Sequence, residues 1–207
     1  MMGAGCQGAY GGVPRVGLPA WTWLRELNTG YAGSCRDRAP GKCDTTFVGP
    51  TGVAASWNRS LWFAKGSVIA TEVRAAEKLT LSGFGPNINI LKDPRYGRNS
   101  ELPGEDPFLS GTYATHVTRG MQQTAVGTNG RTYQKILSLL KHYAVYNVES
   151  ARFTWGTSVS MFDLFDSCLP AFQMAMTEVR QREFVPQSHQ GCPSAQQRVT
   201  CVCICRT

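Results

Sequence analysis

Long apolar runs are missing from this sequence: no stretch of its 207 residues approaches the roughly 18 consecutive apolar residues that cross a bilayer. A membrane is therefore not among the expected partners. Residues 1–14 hold glycine and alanine where an export signal needs an apolar core, so no export address is read and the localisation stays open. Paired cysteine spacing is missing as well. Of eight cysteines, Cys192, Cys201, Cys203 and Cys205 crowd the C-terminal end, the last three alternating with Val202 and Ile204. That is the spacing of neither a zinc ribbon nor a redox motif, so no metal and no cofactor is expected. Cys35 and Cys43 are placed to bridge a loop. The third absence is a basic run. A formal charge of +7 and a pI near 9.1 ordinarily suggest an anionic partner. Here +3 lies in residues 179–207 and the remaining +4 is scattered, which excludes a nucleic-acid surface from the reading.

What is present is a chain with 42% hydrophobic and 17% charged residues, enough to build a core. From Asn58, a plausible N-cap, Trp62, Ile69, Val73 and Ala76 fall on one helical face. Residues 87–90 alternate Asn-Ile-Asn-Ile, which predicts a short strand pointing amides one way and branched aliphatics the other. A stiff, charged loop follows, with Lys92, Asp93, Arg95, Arg98, Glu101, Glu105 and Asp106 set among Pro94, Gly97, Pro103, Gly104 and Pro107. Asp106 and Pro107 then open a helix whose Leu109, Tyr113, Val117 and Met121 share a face, with His116 off that face in solvent and residues 127–130 breaking it. Residues 135–140 read as a buried strand ending in Lys141 and His142. Ser160 opens a last helix with Asp163 as its capping box; Leu164, Cys168, Ala171 and Ala175 line one side, and Pro170 kinks it. Strands and helices alternate, so the class is α/β, and two successive strands deliver Arg98 and the Lys141–His142 pair to one face.

The run Asn-Ile-Asn-Ile, Lys-Asp-Pro-Arg-Tyr-Gly-Arg and Glu-Leu-Pro-Gly-Glu-Asp-Pro within residues 87–107 resembles the N-terminal barrel domain of glycoside hydrolase family 3, in its β-xylosidase-like branch. Pro-Arg-Val-Gly-Leu-Pro-Ala-Trp in residues 14–21, Lys141-His142, Arg152-Phe-Thr and Leu169-Pro-Ala-Phe172 resemble it in the same order. The resemblance implies a partial (β/α)8 TIM barrel, roughly its first half, in residues 1–178. It implies an oligosaccharide or glycoside as the partner, bound by Glu26, Arg98, Lys141 and His142. It further implies a retaining glycosidase: a β-D-xylosidase, or an α-L-arabinofuranosidase, acting on xylan-derived oligosaccharides. The family's nucleophile and acid/base match no position here, so no catalytic residue is assigned, and Asp93, Glu101, Glu105 and Asp106 correspond to residues that organise the loop. A catalytically dead sugar-binding half-barrel and a non-functional truncated product are the alternatives. Glucose-specific relatives usually carry Asp where Glu26 stands; the extra methylene occupies the space of a hexose hydroxymethyl arm and favours a pentose. Trp21 and Trp23 are either a platform for a sugar face or packing residues. Residues 179–207 depart from the family pattern. Read one nucleotide later, residues 180–186 and 191–193 can restore the expected Ser-Tyr and Gly-Val-Pro motifs, so this irregular tail is expected to be out of frame.

Overall fold

The computed structural model describes residues 4–5, 9–10, 12–22, 25–31, 43–76, 80, 82–150, 152 and 158–179. Three two-residue strands, β1 (Ala4–Gly5), β2 (Ala9–Tyr10) and β3 (Trp21–Thr22), form a small antiparallel sheet. The short helix α1 (Pro50–Ala54) leads into the long α2 (Arg59–Ala76). As its spacing predicts, α2 is capped by Asn58, whose Oδ1 accepts from the Leu61 amide at 3.0 Å, and it buries Trp62, Ile69 and Val73. Helix α3 (Pro107–Met121) begins as expected too, with the Asp106 carboxylate accepting from the Leu109 amide at 2.6 Å.

Between the helices lie parallel strands. Strand β4 (Ser82–Asn87) pairs with β7 (Leu137–Lys141), and on its other edge Leu27 and Arg25 bond Phe84 through Leu27 N to Phe84 O (2.8 Å) and Phe84 N to Arg25 O (2.7 Å). Chain order and spatial order agree: residues 25–27, α2, β4, α3, β7. That is two successive β-α-β crossovers. The strand expected at residues 87–90 thus lies earlier, at 82–87. Residues 88–90 leave the ladder after one further bond, from Ile88 N to Lys141 O at 2.8 Å, though they stay buried. Their alternation does sort side chains: Ile88 enters the apolar cluster of Ala114, Ala171 and Phe172, while Asn87 and Asn89 make polar contacts on the opposite side.

The β4–β7 register is interrupted once. Phe84 faces Leu139 and Asn87 faces Lys141, so three steps of one strand match two of the other. The cause is local. Pro86 has no N–H for the ladder, and Gly85 adopts φ +140°, open to glycine; its carbonyl is taken by Ser138 Oγ at 2.7 Å. The bulge sets Asn87 against Lys141.

The helices approach closely because small residues line their crossings. A methyl on Gly66 of α2 would overlap the Val117 carbonyl of α3 and lie 3.0 Å from Met121 N; one on Gly111 would meet Met174 Sδ at 2.8 Å. Gly111 and Ala114 of α3 thereby receive Ala171 and Ala175 of α5 (Pro170–Glu178). Ahead of α5, Ser160 caps α4 (Met161–Asp163) as expected, its Oγ accepting from the Asp163 amide at 3.0 Å, while the Asp163 carboxylate reaches back to the Ser160 hydroxyl at 2.8 Å in place of the backbone N–H of a full capping box. The chain then runs through a π-helical stretch at Leu164–Cys168 and restarts at Pro170. The kink expected at Pro170 is this change of helix type, because proline cannot donate to the preceding turn. Residues 127–130 do not end α3, which stops at Met121; they form the turn of a hairpin, β5 (Thr124–Val126) with β6 (Thr132–Gln134). That hairpin docks on α2 through Lys135, whose Nζ reaches Thr71 Oγ1 (3.0 Å) and Gln123 Oε1 (3.1 Å).

Two side chains depart from expectation. His116 is half-buried, edge-on to Trp62 at 6.3 Å, and burial together with Arg119 and Arg59 lowers its pKa. Lys65, on the apolar face of α2, is 1% exposed, and its Nζ donates to Tyr113 Oη at 3.1 Å. Burial lowers Lys65 to about 8, since no carboxylate among the described residues pairs with it. A lysine depressed below its unfolded 10.5 contributes stability that is complete above 10.5 and lost as pH falls through about 8. At neutral pH the ammonium therefore opposes folding. Lys65→Met is expected to raise stability at pH 7 by about 2 kcal/mol and to flatten the gain between pH 8 and 10, read from urea midpoints. A lower midpoint for the variant at pH 7 contradicts this account.

Candidate functional site

Where residues 25–27, β4 and β7 end, polar side chains converge. Lys141 is the last residue of β7, and Glu26 lies beside Phe84 in the neighbouring parallel bridge. Lys141 Nζ meets Glu26 Oε2 at 2.6 Å and Glu101 Oε2 at 3.5 Å. Glu101 sits in the charged loop and receives Arg98 through two parallel bonds, Nε to Oε1 (2.7 Å) and Nη2 to Oε2 (2.8 Å). Beyond Arg98, Nη1 lies 3.8 Å from Glu149 Oε2, and Glu149 Oε1 lies 3.3 Å from Arg152. The result is one chain of alternating sign: Glu26, Lys141, Glu101, Arg98, Glu149, Arg152. Its middle is the more enclosed part, with Lys141 5% exposed, whereas Glu26 at one end is 45% exposed.

Asparagines fix this chain to the backbone. Asn28 N donates to Glu26 Oε1 at 3.0 Å, so both carboxylate oxygens of Glu26 are held. Asn28 also accepts from Asn87 N (3.0 Å) and donates to the Glu101 carbonyl (3.1 Å), tying the first parallel segment to β4 and the loop. Asn89 grips both backbone polar groups of His142, accepting from the main-chain N–H and donating to the main-chain carbonyl, each at 2.8 Å. The outer side is aromatic. The Tyr146 ring stands edge-on to His142 (4.9 Å) and Tyr96 (5.1 Å), and the guanidinium groups of Arg98 (5.6 Å) and Arg152 (5.9 Å) approach it. Its hydroxyl donates to Glu149 and accepts from Arg152 at 2.9 Å.

The four residues expected from the sequence, Glu26, Arg98, Lys141 and His142, are thus brought into one cluster. Asn28, Glu149 and Arg152 also belong to it; no local sequence signal marks Asn28 or Glu149, whereas Arg152 stands in a matching motif. Two other loop acids serve the loop: Asp106 caps α3, and Asp93 holds the Arg95 amide and guanidinium at 2.8 Å. Among the described residues no group of three His, Cys, Asp or Glu is arranged to hold a metal ion. The side chain of Trp21, and Trp23 altogether, lie outside the described residues, as does Cys35; Cys43 is disulfide-bonded.

His142 is neutral for a physical reason. Burial lowers it first, then the charges of Lys141 and Arg98, and its pKa falls to about 3. Arg98 Nη1 can only donate, so Nε2, 3.5 Å away, is the acceptor and Nδ1 carries the hydrogen. Nδ1 is buried and has no hydrogen-bond partner among the described residues. For Glu101, burial alone would raise the pKa; the Arg98 hydrogen bonds, the Lys141 and Arg98 charges and Asn87 outweigh it and hold the carboxylate at about 2. It stays ionised and is no proton donor near neutrality.

Both shifts are depressions, so the stability they contribute is complete above the unfolded values and lost in acid. For His142 that loss runs from 6.5 down to about 3, and for Glu101 from 4.5 down to about 2. Urea midpoints are therefore expected to fall from pH 6.5 to 4.5 in the parent and in Glu101→Gln, but much less steeply in His142→Gln. Glu101→Gln should in addition lose about 2 kcal/mol at pH 7, because Lys141 and Arg98 are left facing an amide. An unchanged acid slope in His142→Gln would assign the effect elsewhere.

With this geometry in hand, comparison with known proteins is direct. The model of the "Glycosyl hydrolase family 3 N terminal domain" matches residues 28–198. "Beta-xylosidase/alpha-L-arabinofuranosidase 1" of Medicago sativa subsp. varia is 38% identical over 178 residues, covering 80% of this chain and 22% of that protein. "Beta-D-xylosidase 3" of Arabidopsis thaliana is 36% identical over 179 residues, covering 81% and 23%. Among solved structures, a family 3 exo-β-xylosidase in complex with a xylobiose aziridine probe superposes with a TM-score of 0.70 at 28% identity, covering 80% of this chain and 22% of that one. β-Glucosidase 3B from Thermotoga neapolitana in complex with glycerol gives 0.69 at 31%, covering 82% and 22%. The chain spans about a fifth of the length of these relatives. With its α/β crossovers and a family match over most of its length, the chain belongs to glycosyl hydrolase family 3 and carries sequence of its N-terminal domain.

Proposed function

We propose that this chain supplies the sugar-recognising part of a retaining glycosidase specific for pentosides, a β-D-xylosidase with α-L-arabinofuranosidase as the nearest alternative. Its parallel strands are then the first strands of a (β/α)8 barrel, whose sites lie at the C-terminal ends of the strands. One observation carries the reading: the alternating chain from Glu26 to Arg152, with a neutral His142 beside it, at those strand ends. Sugar hydroxyls both donate and accept. Fixed carboxylates supply acceptors, the Lys141 and Arg98 N–H groups supply donors, and the uncharged imidazole, whose Nε2 is taken by Arg98, keeps Nδ1–H as a further donor.

Retaining hydrolysis needs two carboxyl groups about 5 Å apart, one to attack the anomeric carbon and one to give and then take a proton. We assign neither role to a residue of this chain. Glu101 is locked between two cations and Glu26 is held at both oxygens, so these groups orient a sugar and do not cleave it.

Glu26 supports a pentose because its extra methylene fills the space of a hexose arm. The likeness to Thermotoga neapolitana β-glucosidase 3B in complex with glucose, 30% identical with a TM-score of 0.69, favours glucose as the second reading. In the longest product of the gene, aryl xyloside is expected to be preferred over aryl glucoside, and Glu26→Asp to move that ratio roughly tenfold toward glucoside, as about one methylene of pocket space would. A parent preference for glucoside refutes the pentose argument; absence of turnover on any glycoside, with xylose binding retained, leaves the dead sugar binder. We also propose that residues 179–207 are out of frame, although the family match runs on to residue 198. Transcripts spanning the codons for Met176 to Cys205 are expected to show a shifted frame, and the present tail in every transcript would refute it.

A further inference from the structure

The sequence holds seven asparagines, and only Asn58 is followed two residues later by Ser or Thr, in Asn58-Arg59-Ser60, with no proline between. Structure makes that triplet accessible. Asn58 and Ser60 are exposed, at the turn joining α1 to α2. Trp57, just before it, takes a left-handed φ of +53°, which turns the chain sharply there. The two ends of the Asn58 amide are used differently. Oδ1 accepts from the Leu61 amide as the helix cap, whereas Nδ2 bonds to nothing among the described residues. Trp57 is 68% exposed and Leu61 45%, so an apolar surface flanks the free Nδ2. An independent observation bears on the compartment. Cys43 is disulfide-bonded, a state that persists in oxidising compartments such as the secretory pathway, where asparagine glycosylation also takes place.

We propose that Asn58 is an N-glycosylation site, modified by an oligosaccharide from a lipid-pyrophosphate donor. In that transfer Nδ2 loses one proton and forms a bond to the anomeric carbon of the donor's first sugar. The bond from that carbon to the pyrophosphate oxygen breaks, and the lipid pyrophosphate leaves with the electron pair and takes up the proton. No redox partner is involved. The substituted amide keeps its carbonyl, so the cap on Leu61 survives and the helix loses nothing on modification. The first sugar also gains the apolar faces of Trp57 and Leu61 to cover. This inference is independent of what the strand-end site binds.

The test uses native protein from its source cells. After reduction and alkylation, trypsin cuts behind Lys42 and Arg59 and releases peptide 43–59. Treatment with peptide N-glycosidase in heavy-oxygen water is expected to yield that peptide with Asn58 converted to aspartate carrying one heavy oxygen. Full recovery of peptide 43–59 with unmodified Asn58 from untreated protein overturns the proposal. Variants of the full chain, produced through a eukaryotic secretory pathway, separate glycan from cap. Ser60→Ala should lose the glycan and keep the helix cap, Ser60→Thr should keep both, and Asn58→Gln should lose both. A glycosidase-sensitive mass that persists in Ser60→Ala also overturns the assignment.

Discussion

The Glu101 carboxylate is the point on which site and fold both depend. It takes two bonds from Arg98, lies within ion-pair range of Lys141 and accepts from Asn87 at 3.4 Å. Those three partners come from the loop, from β7 and from β4, so the charge is satisfied only when the two strands are in register. A shift of one residue would turn every side chain of β7 to the other face and withdraw Lys141 from the carboxylate. Enclosing charges is unfavourable unless each is paired. The alternating chain meets that condition because each of its inner groups has an opposite charge on both sides.

The bulge at Gly85–Pro86 shows how a local irregularity serves this arrangement. Without the extra residue in β4, Asn87 would not face Lys141. The loop that follows is anchored in its second half: α1 holds it where Thr51 Oγ1 donates to the Leu102 carbonyl at 2.7 Å, and Asp106 starts α3. Its stiffness comes from those two anchors as much as from its prolines. The close crossings at Gly66 and Gly111 then press α3 between α2 and α5, which leaves Ile88 covered and directs the neighbouring amides to the polar side.

Much of this was legible because the signals are local. Asn58, Asp106 and Ser160 announce helix starts, and each does cap one. The Lys141–His142 pair could be placed because a compact apolar run precedes it. Strand β4 is hidden in the sequence for an equally physical reason: Ser-Gly-Phe-Gly-Pro-Asn contains two glycines and a proline, no apolar alternation and a bulge, so the pattern following it looks more like a strand than the strand itself. Lys65 and His116 carry polar chemistry on faces that only tertiary packing encloses. The pairing of Glu149 with Arg98 spans fifty-one residues, and no spacing rule reaches that far.

The gradient of exposure along the ion chain separates two kinds of role. Lys141, Glu101 and Arg98 form the enclosed middle, and their replacement strips partners from charges that water does not readily reach. Glu26 stands at the open end with its oxygens held by Asn28 and Lys141, and the remaining lone pairs on those oxygens face a more accessible space. On the proposed reading, sugar preference is set at that end, where a side chain can lengthen or shorten by one methylene without breaking Glu101's contacts. On that same reading, affinity for sugars in general rests on the middle, where the same change would disturb the fold. Specificity can therefore vary at Glu26 while the architecture that presents it stays fixed.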